Sequence, residues 1–473
     1  MPTEFAMLGR TRNIHFVGIG GIGMSGIAEL LASLGYQVSG SDLKTSDVTR
    51  RLAELGVRIG EGHDAAHVGA ADVVVVSSAV RPDNVEVMEA RRRHIPVIPR
   101  AEMLAELMRL RYGVAVAGAH GKTTTTSMIA VMLERLGLDP TAVIGGRLSA
   151  FGSNARLGQS EYMVAEADES DGSFLMLSPV IAVITNVDQE HLDYYGSFDA
   201  VLEAFVTFAN KVPFYGAVVL GADDESLRGL MPRLERRVVT YALDREDVTL
   251  RGVDPRWAGT DAVCTVVHRP RDDEAPRSLG ELRVRLPGRH NMANALAAVA
   301  VGLELGLAFE RTASALAEFR GAERRFQVLG NSGDVTVVDD YGHHPTEIRA
   351  VLEAARTAWP QRRLVVVFQP HRYTRTAALL DQFGATLAAA DEILLVPIYA
   401  AGEEPIEGLT VQAVADAVRR HTSAPVDVAA DLDEIAGAVV RRARPGDVVI
   451  TLGAGSIGAS GPRILQALAD RAA

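Results

Sequence analysis

Tyr112 to Leu136 reads YGVAVAGAHGKTTTTSMIAVMLERL, and the fold turns on this stretch. Tyr112 to Ala117 is an apolar run of strand length. Gly118-Ala119-His120-Gly121 is a turn. From Thr123 the spacing of Met128, Val131, Met132 and Leu136 predicts a helix with those residues on one side, and Gly137 stands where a helix end favours a left-handed residue. A glycine turn feeding a helix aims several backbone N–H groups at one point, and the helix dipole adds positive charge there. Lys122 supplies a full charge, and the Thr123 hydroxyl suits a magnesium ion that bridges phosphates. The pattern predicts a triphosphate site. Its spacing is G-x-x-G-K-T; the longer P-loop pattern would put its first glycine at position 116, which is Val116.

Upstream stands a second glycine turn. Asn13 to Gly18 predicts a strand, followed by Gly18-Ile19-Gly20-Gly21-Ile22-Gly23, a helix to Leu34, and a strand from Tyr36 to Ser41 that ends at Asp42. Glycines 18, 20 and 23 fit G-x-G-x-x-G, and Asp42 lies near the distance at which an acidic residue meets a ribose. Alone this predicts an NAD-dependent dehydrogenase, but the same loop cradles any pyrophosphate. Strands at Val73–Val76 and Val97–Ile98 lead into Ser77-Ser78 and Pro99-Arg100. Ser77, Ser78 and Arg100 suit a sugar or phosphate, and suit equally well turn hydroxyls and a solvated arginine. A helix from Arg100 to Arg109 closes this first region.

Downstream, the glycine-rich stretch 145–158 predicts a loop. Tyr162 to Ala165 predicts a strand leading into EADESD, where Glu166, Asp168, Glu169 and Asp171 offer a cation site or an acidic helix start. The buried strand Val180–Thr185 runs into NVDQEHLD, which makes His191 a metal or phosphate neighbour. Arg289, His290, Asn291 and Asn294 lead an alanine-rich helix; an Asn amide can pair with a base edge or simply cap the helix. Residues 254–280, rich in Arg, Asp and Pro, predict a surface hairpin. After Arg325 the alternation restarts, with strand ends at DDYGHHP (Asp339–Pro345) and QPHRYTR (Gln369–Arg375). Arg372 and Arg375, three apart at a helix start, can share a face and suit a small carboxylate.

The chain has 473 residues, 48% apolar, with no apolar run near the length that spans a bilayer and no secretory leader pattern. Cys264 is the only cysteine, which excludes an intrachain disulfide and fits a reducing compartment. The net charge of −12 argues against a nucleic-acid binder. A cytoplasmic location is expected, with no membrane insertion and a monomeric or weakly dimeric state. The fold class expected is α/β in three domains: residues 1–110 Rossmann-like, 111–321 P-loop ATPase-like, and 322–473 doubly wound and Rossmann-like.

Together these motifs resemble the Mur ligases, ATP-dependent amide-forming enzymes of peptidoglycan precursor synthesis. The residues that carry the likeness are HFVGIGGIGMSGIA (His15–Ala28), GAHGKTTTT (Gly118–Thr126), EADESDGSF (Glu166–Phe174), TNVDQEHLDYYG (Thr185–Gly196), PGRHNMANALAA (Pro287–Ala298), ERRFQ (Glu323–Gln327), DDYGHHPTE and QPHRYTR, in the family's order over essentially the whole chain. The resemblance implies ATP as co-substrate with Mg²⁺. Gly118, His120, Gly121, Lys122, Thr123, Thr124, Asn294 and Arg325 would hold ATP, and Thr123, Glu166 and His191 the metal. It implies that Gly20, Gly21, Ile22, Gly23, Asp42, Ser78 and Arg100 hold a UDP-sugar and not NAD. Tyr341, His343, Arg372 and Arg375 would take the amino acid, with Lys122, His191 and His343 catalytic, His343 as the candidate for the amine proton. The member it most resembles joins L-alanine to the lactyl carboxylate of UDP-N-acetylmuramate through an acyl phosphate. A sibling that adds a whole peptide to the same sugar is the nearest alternative. A dehydrogenase and a non-catalytic nucleotide switch are the remaining ones. No lysine stands between His191 and Lys211, so the carbamylated lysine of some relatives is not expected.

Overall fold

The computed structural model describes residues 8–77, 79–109, 111–148, 153–271 and 273–472. Three sheets carry the fold of these residues. The first holds β1 (Asn13–Val17), β2 (Gln37–Asp42), β3 (Arg58–Glu61), β4 (Val73–Val76) and β5 (Val97–Pro99), all parallel, in the order β3-β2-β1-β4-β5. The chain order reverses between β1 and β4, so a crevice opens beyond their carboxyl ends, where the turn at Gly18 begins.

The second sheet holds β6 (Tyr112–Ala117), β7 (Thr141–Leu148), β8 (Ser153–Arg156), β9 (Tyr162–Glu166), β10 (Ile181–Ile184), β11 (Ala217–Gly221), β12 (Val238–Ala242), β13 (Leu250–Ala258), β14 (Asp261–His268) and β15 (Arg277–Val284). Its order is β15-β14-β13-β12-β11-β10-β6-β9-β7-β8. β6 lies between β10 and β9, parallel to both, with Ala117 level with Ile184 and Val116 level with Glu166. That register brings the loops after all three strands to one edge of the sheet.

One expectation fails here and another is enlarged. The stretch read as a loop contains β7 and the antiparallel β8, an edge hairpin. Gly145 stands in it because the Glu166 carboxylate lies on the strand: a Cβ there would sit 2.6 Å from Glu166 Cδ. The glycine marks a close approach and not a turn. The segment 254–280, read as a surface hairpin, does turn back on itself from β13 to β14, and its strands also widen the main sheet. β14 alternates buried and half-buried residues, with Ala262, Cys264 and Val266 inside. Burial pushes the Cys264 thiol up to about 12.

The helix Lys122–Arg135 also departs from its one-sided reading. Every residue from Thr123 to Leu133 is buried, because the helix packs against β6, β7, β9 and the helix Phe309–Ala317. A helix enclosed on all sides shows no polar face for periodicity to find.

The third sheet holds β16 (Gln327–Ser332), β17 (Val335–Asp340), β18 (Leu364–Phe368), β19 (Glu392–Leu395), β20 (Val426–Val428) and β21 (Val448–Leu452), ordered β16-β17-β21-β18-β19-β20. All its pairs are parallel except β16 with β17.

By compactness the chain forms two units. One runs to Asp254 and adds Cys264–Arg283 and Ala293–Arg320; the other holds Pro255–Val263, Val284–Met292 and the chain from Gly321 onward. By this measure residues 8–109 and 111–254 fall in the same unit. The helix Ile22–Ser33 packs on β7 and β8, and Asn154 Nδ2 donates to Ser25 Oγ at 3.5 Å. Among the described residues no helix is long and apolar enough to cross a membrane.

Candidate active site

Three clusters sit at strand ends, two in the first unit and one in the second. In the first sheet, Gly18 turns with φ +77°, and the Gly18 and Ile19 N–H groups both donate to Ser41 O at 2.9 Å. The Gly20 N–H donates to Asp42 Oδ2 at 2.8 Å, so the acid expected at a ribose is tied to the glycine turn. Gly21 precedes the helix Ile22–Ser33 without a side-chain cap, which leaves the first N–H groups of that helix to the crevice. Gly23 lies in its first turn, where a Cβ would overlap the Arg100 guanidinium. Arg100 thus stands beside the turn, 3.8 Å from Asp168 Oδ2. Gly20, Gly21, Gly23, Asp42 and Arg100 come together. Ser78 and the side chain of Ile22 lie outside the described residues.

In the second sheet, Gly118 has φ +127° and Gly121 φ +83°. The turn is pinned from β10's loop: Ala119 N–H donates to Asn186 O at 3.1 Å, His120 N–H to Asn186 Oδ1 at 2.8 Å, and Thr185 Oγ1 to His120 O at 2.6 Å. The His120 ring pairs with Asp188 Oδ2 at 2.8 Å. Lys122 curls back over the turn, donating to Gly118 O at 2.7 Å, Ala119 O at 3.1 Å and Glu169 Oε1 at 2.7 Å. Burial alone would lower its pKa; the charges of Glu169, Asp168 and Glu166 outweigh that and hold it above the usual lysine value. Burial pushes Glu169 up to about 7 even beside Lys122, with Asp168 adding to the rise.

Thr123 Oγ1 donates to Glu166 Oε1 at 3.1 Å, which unites two of the expected metal ligands. The third, His191, takes a left-handed backbone with φ +58°, and its Nε2 lies 3.8 Å from both Glu169 Oε1 and Glu190 Oε2. Glu169, Glu190 and His191 each offer a ligand atom within 4.8 Å of the others. Glu169 Oε2 is buried and, among the described residues, has no hydrogen-bond partner. A cation would satisfy that oxygen, so the residues present fit a divalent metal. Thr124 is buried in the first helical turn, and Asn294 Oδ1 lies where a Cβ on Gly121 would come within 2.7 Å.

In the third sheet, Tyr341 and His343 meet edge to face at 5.5 Å, His343 meets His371 at 5.7 Å, and His371 stacks on Tyr399 at 5.5 Å. Arg375 Nη1 is 3.3 Å from His371 Nδ1. The Arg324 and Arg325 guanidinium carbons lie 5.1 and 4.9 Å from the Tyr341 ring centre. Arg372 caps the helix Tyr373–Ala378 from outside it, with φ +68°, so the helical facing expected of Arg372 and Arg375 does not apply. Burial also runs against the basicity expected of His343. Burial, with Arg375 and His371 nearby, lowers it to about 3, a poor match for a proton acceptor at neutral pH.

Residue patterns missed Asn186, Asp188, Glu190, His371, Tyr399 and the specific role of Glu169. Of four acids in EADESD, nothing local marks the one that meets Lys122. His371 and Tyr399 pair through an isolated bridge between distant loops, for which the chain has no short-range signal.

Family models described as the Mur ligase family catalytic domain, the Mur ligase middle domain and the Mur ligase glutamate ligase domain match residues 13–112, 116–302 and 324–455. A UDP-N-acetylmuramate–L-alanine ligase from an Anaeromyxobacter strain is 56% identical over 461 residues, 97% of this chain and 98% of its own length. Another, from Syntrophotalea carbinolica, is 52% identical over 98% of this chain and 100% of its own. The solved UDP-N-acetylmuramate–alanine ligase of Thermotoga maritima matches with TM-score 0.81 at 30% identity, covering 96% of this chain and 98% of that one. A murein peptide ligase from Psychrobacter arcticus matches with TM-score 0.71 at 26% identity, covering 97% and 99%.

Proposed function

The chain belongs to the Mur ligase family, and on that premise we infer that it joins L-alanine to the lactyl carboxylate of UDP-N-acetylmuramate with ATP, in peptidoglycan precursor synthesis. The observation that carries the chemistry is Lys122, held at the mouth of a helix by two turn carbonyls and Glu169. A carboxylate is a poor electrophile. Its oxygen attacks the ATP γ-phosphorus and ADP leaves; the alanine nitrogen then attacks the acyl phosphate carbon, loses a proton, and phosphate departs.

Lys122 and the N–H groups of Gly121 to Thr124 hold the transferring charge, and Asn294 approaches the adenine end. Thr123, Glu166 and His191, joined by Glu169 and Glu190, would hold Mg²⁺. Bound there, the ion would neutralise the triphosphate and spread the charge of the phosphoryl group in flight. The turn at Gly20–Gly23, with Arg100 and Asp42, takes the UDP-sugar. Tyr341, His343, Arg372 and Arg375 take the amino acid. On this reading the enzyme works in the cytoplasm as a monomer or weak homodimer.

The test is phosphate release from ATP with Mg²⁺ and UDP-N-acetylmuramate, adding each amino acid in turn. Release that needs both the sugar and L-alanine supports this reading. Release with the sugar and a peptide, and with no single amino acid, would replace it with the peptide-adding sibling.

A further inference from the structure

Glu86 is fully buried in the first sheet's domain, on the helix Val85–Arg92. Its oxygens collect donors from four segments. Oε2 meets His15 Nε2 of β1 at 2.8 Å and Ser41 Oγ of β2 at 2.8 Å. Oε1 meets His63 Nδ1 at 3.1 Å and the Asp64 N–H at 3.2 Å, with His67 Nδ1 3.5 Å away. The His67 ring lies against Gly60, where a Cβ would come within 2.7 Å of it. Burial alone would raise the Glu86 carboxyl; hydrogen bonds from His15, Ser41 and His63 outweigh it and pull it down to about 2. The group is therefore ionised and can only accept.

That fixes the proton on His63. Nδ1 faces the carboxylate and Ser41 Oγ at 3.2 Å, so in the neutral ring it carries the hydrogen. Nε2, on the far side of the ring, is then an acceptor. Among the described residues Nε2 has no protein partner, and the side chain is 23% exposed. Its place is also defined. Gly62, the preceding residue, donates its N–H to Asp42 O at 2.8 Å, and Asp42 holds the Gly20 turn. In sheets of this kind the acid after the second strand meets the ribose, and the bond from Gly62 to Asp42 sets His63 beside that nucleoside end of the turn.

We propose that Glu86 is a positioning residue that locks His63 as a hydrogen-bond acceptor for the N3–H of a uracil base, and so sets a preference for uridine over cytidine nucleotides. Uracil N3 bears a hydrogen and cytosine N3 a lone pair, so an Nε2 acceptor bonds the first and repels the second. The inference rests on the UDP-sugar reading of the Gly20–Gly23 turn. A site built to pair one polar edge rejects its mismatch strongly, by about tenfold or more for a single bond.

The experiment uses the full chain. UDP and CDP compete against UDP-N-acetylmuramate in phosphate release, for wild type, Glu86→Gln and His63→Ala, and ¹⁵N NMR reads the His63 tautomer. The expected wild type prefers UDP over CDP by about tenfold or more and has its hydrogen on Nδ1. Glu86→Gln, whose amide can donate to Nδ1, releases the tautomer and brings the UDP/CDP ratio toward one, raising KM for the UDP-sugar more than it lowers kcat. His63→Ala, which leaves the His15 and Ser41 bonds to Glu86, loses the preference too and covers the case in which Glu86→Gln fails to fold. A preference that survives in both variants, or a wild-type hydrogen on Nε2, overturns the inference while the UDP-sugar reading stands. A wild type bound by neither nucleotide overturns both.

Discussion

The two glycine turns, 18–23 and 118–123, follow the same local rule: strand, glycines, helix. They differ in where the charge sits and in the buried carboxylate behind each. The first turn carries no cation of its own. Arg100 comes to it from another strand end, Asp42 closes over Gly20, and Glu86 behind it is pulled down to about 2 by the donors that surround it. The second carries Lys122 within the turn, and Glu169 behind it is pushed up to about 7 by burial. On the proposed function, the same backbone shape would serve a ligand held in place in one turn and a group in transfer in the other. A passive pyrophosphate needs dipoles and one borrowed charge, whereas moving a phosphoryl group needs a full charge fixed against the turn.

The largest effect expected follows from removing that charge. Lys122→Met should lower kcat for phosphate release by about 10³-fold, and it should also destabilise the chain, because Glu169 is left buried without its cation, a loss of about 3 kcal/mol. Adding Glu169→Gln should restore denaturant stability and leave the rate low. A double variant whose rate recovers would sink the claim that Lys122 acts on the transferring group.

Glu86 sets the next contrast, in acid. Its folded pKa of about 2 lies below its ordinary value of 4.5. Its stabilisation is therefore full above pH 4.5 and is lost as pH falls toward 2, amounting to about 3 kcal/mol at most. The stability difference between wild type and Glu86→Gln should shrink over that window. His15, His63 and His67 face the group and their bonds to it change with the substitution, so the difference reads the carboxyl together with its histidine partners. A difference that stays flat between pH 5 and 2.5 would refute this account.

The glycines before the two helices give a third contrast. Gly121 has φ +83° and faces Asn294 Oδ1, so Gly121→Ala should cost about 1–2 kcal/mol and raise KM for ATP. Gly21 has φ −62°, with nothing nearer than Gly18 O at 3.5 Å to an added Cβ. Gly21→Ala should keep wild-type stability within about 0.5 kcal/mol. Equal melting shifts would show that the two turns are not built differently. The last effect is at Asp42. Asp42→Ala should raise KM for the UDP-sugar about tenfold with kcat within about twofold, the loss of one charge-assisted bond. A fall in kcat without a change in KM would move Asp42 out of the binding site.

These contrasts also mark what could be read from the chain alone. Strand, glycine turn and helix are neighbours in sequence, so Gly118–Thr123 and Gly18–Gly23 declare themselves, and β6, β10 and β18 stand out as short apolar runs. Gly145 misled because a glycine that makes room for Glu166 looks the same in sequence as one that makes a turn. The helix Lys122–Arg135 hid its enclosure because its threonines read as polar surface while they lie buried. Lys122–Glu169, Glu86–His63 and His371–Tyr399 are long-range partnerships set by sheet order, and no local spacing encodes them.

Cys264 offers a use of its own. The sole thiol of the chain sits inside β14 with its proton held to about pH 12, so in the folded protein it is both out of reach and unreactive toward maleimides. A cysteine engineered on the surface would take a single fluorophore with no background to remove. Conversely, the rate at which the native thiol becomes labelled measures how often that edge of the large sheet comes open, a clock for local unfolding already built into the unaltered chain.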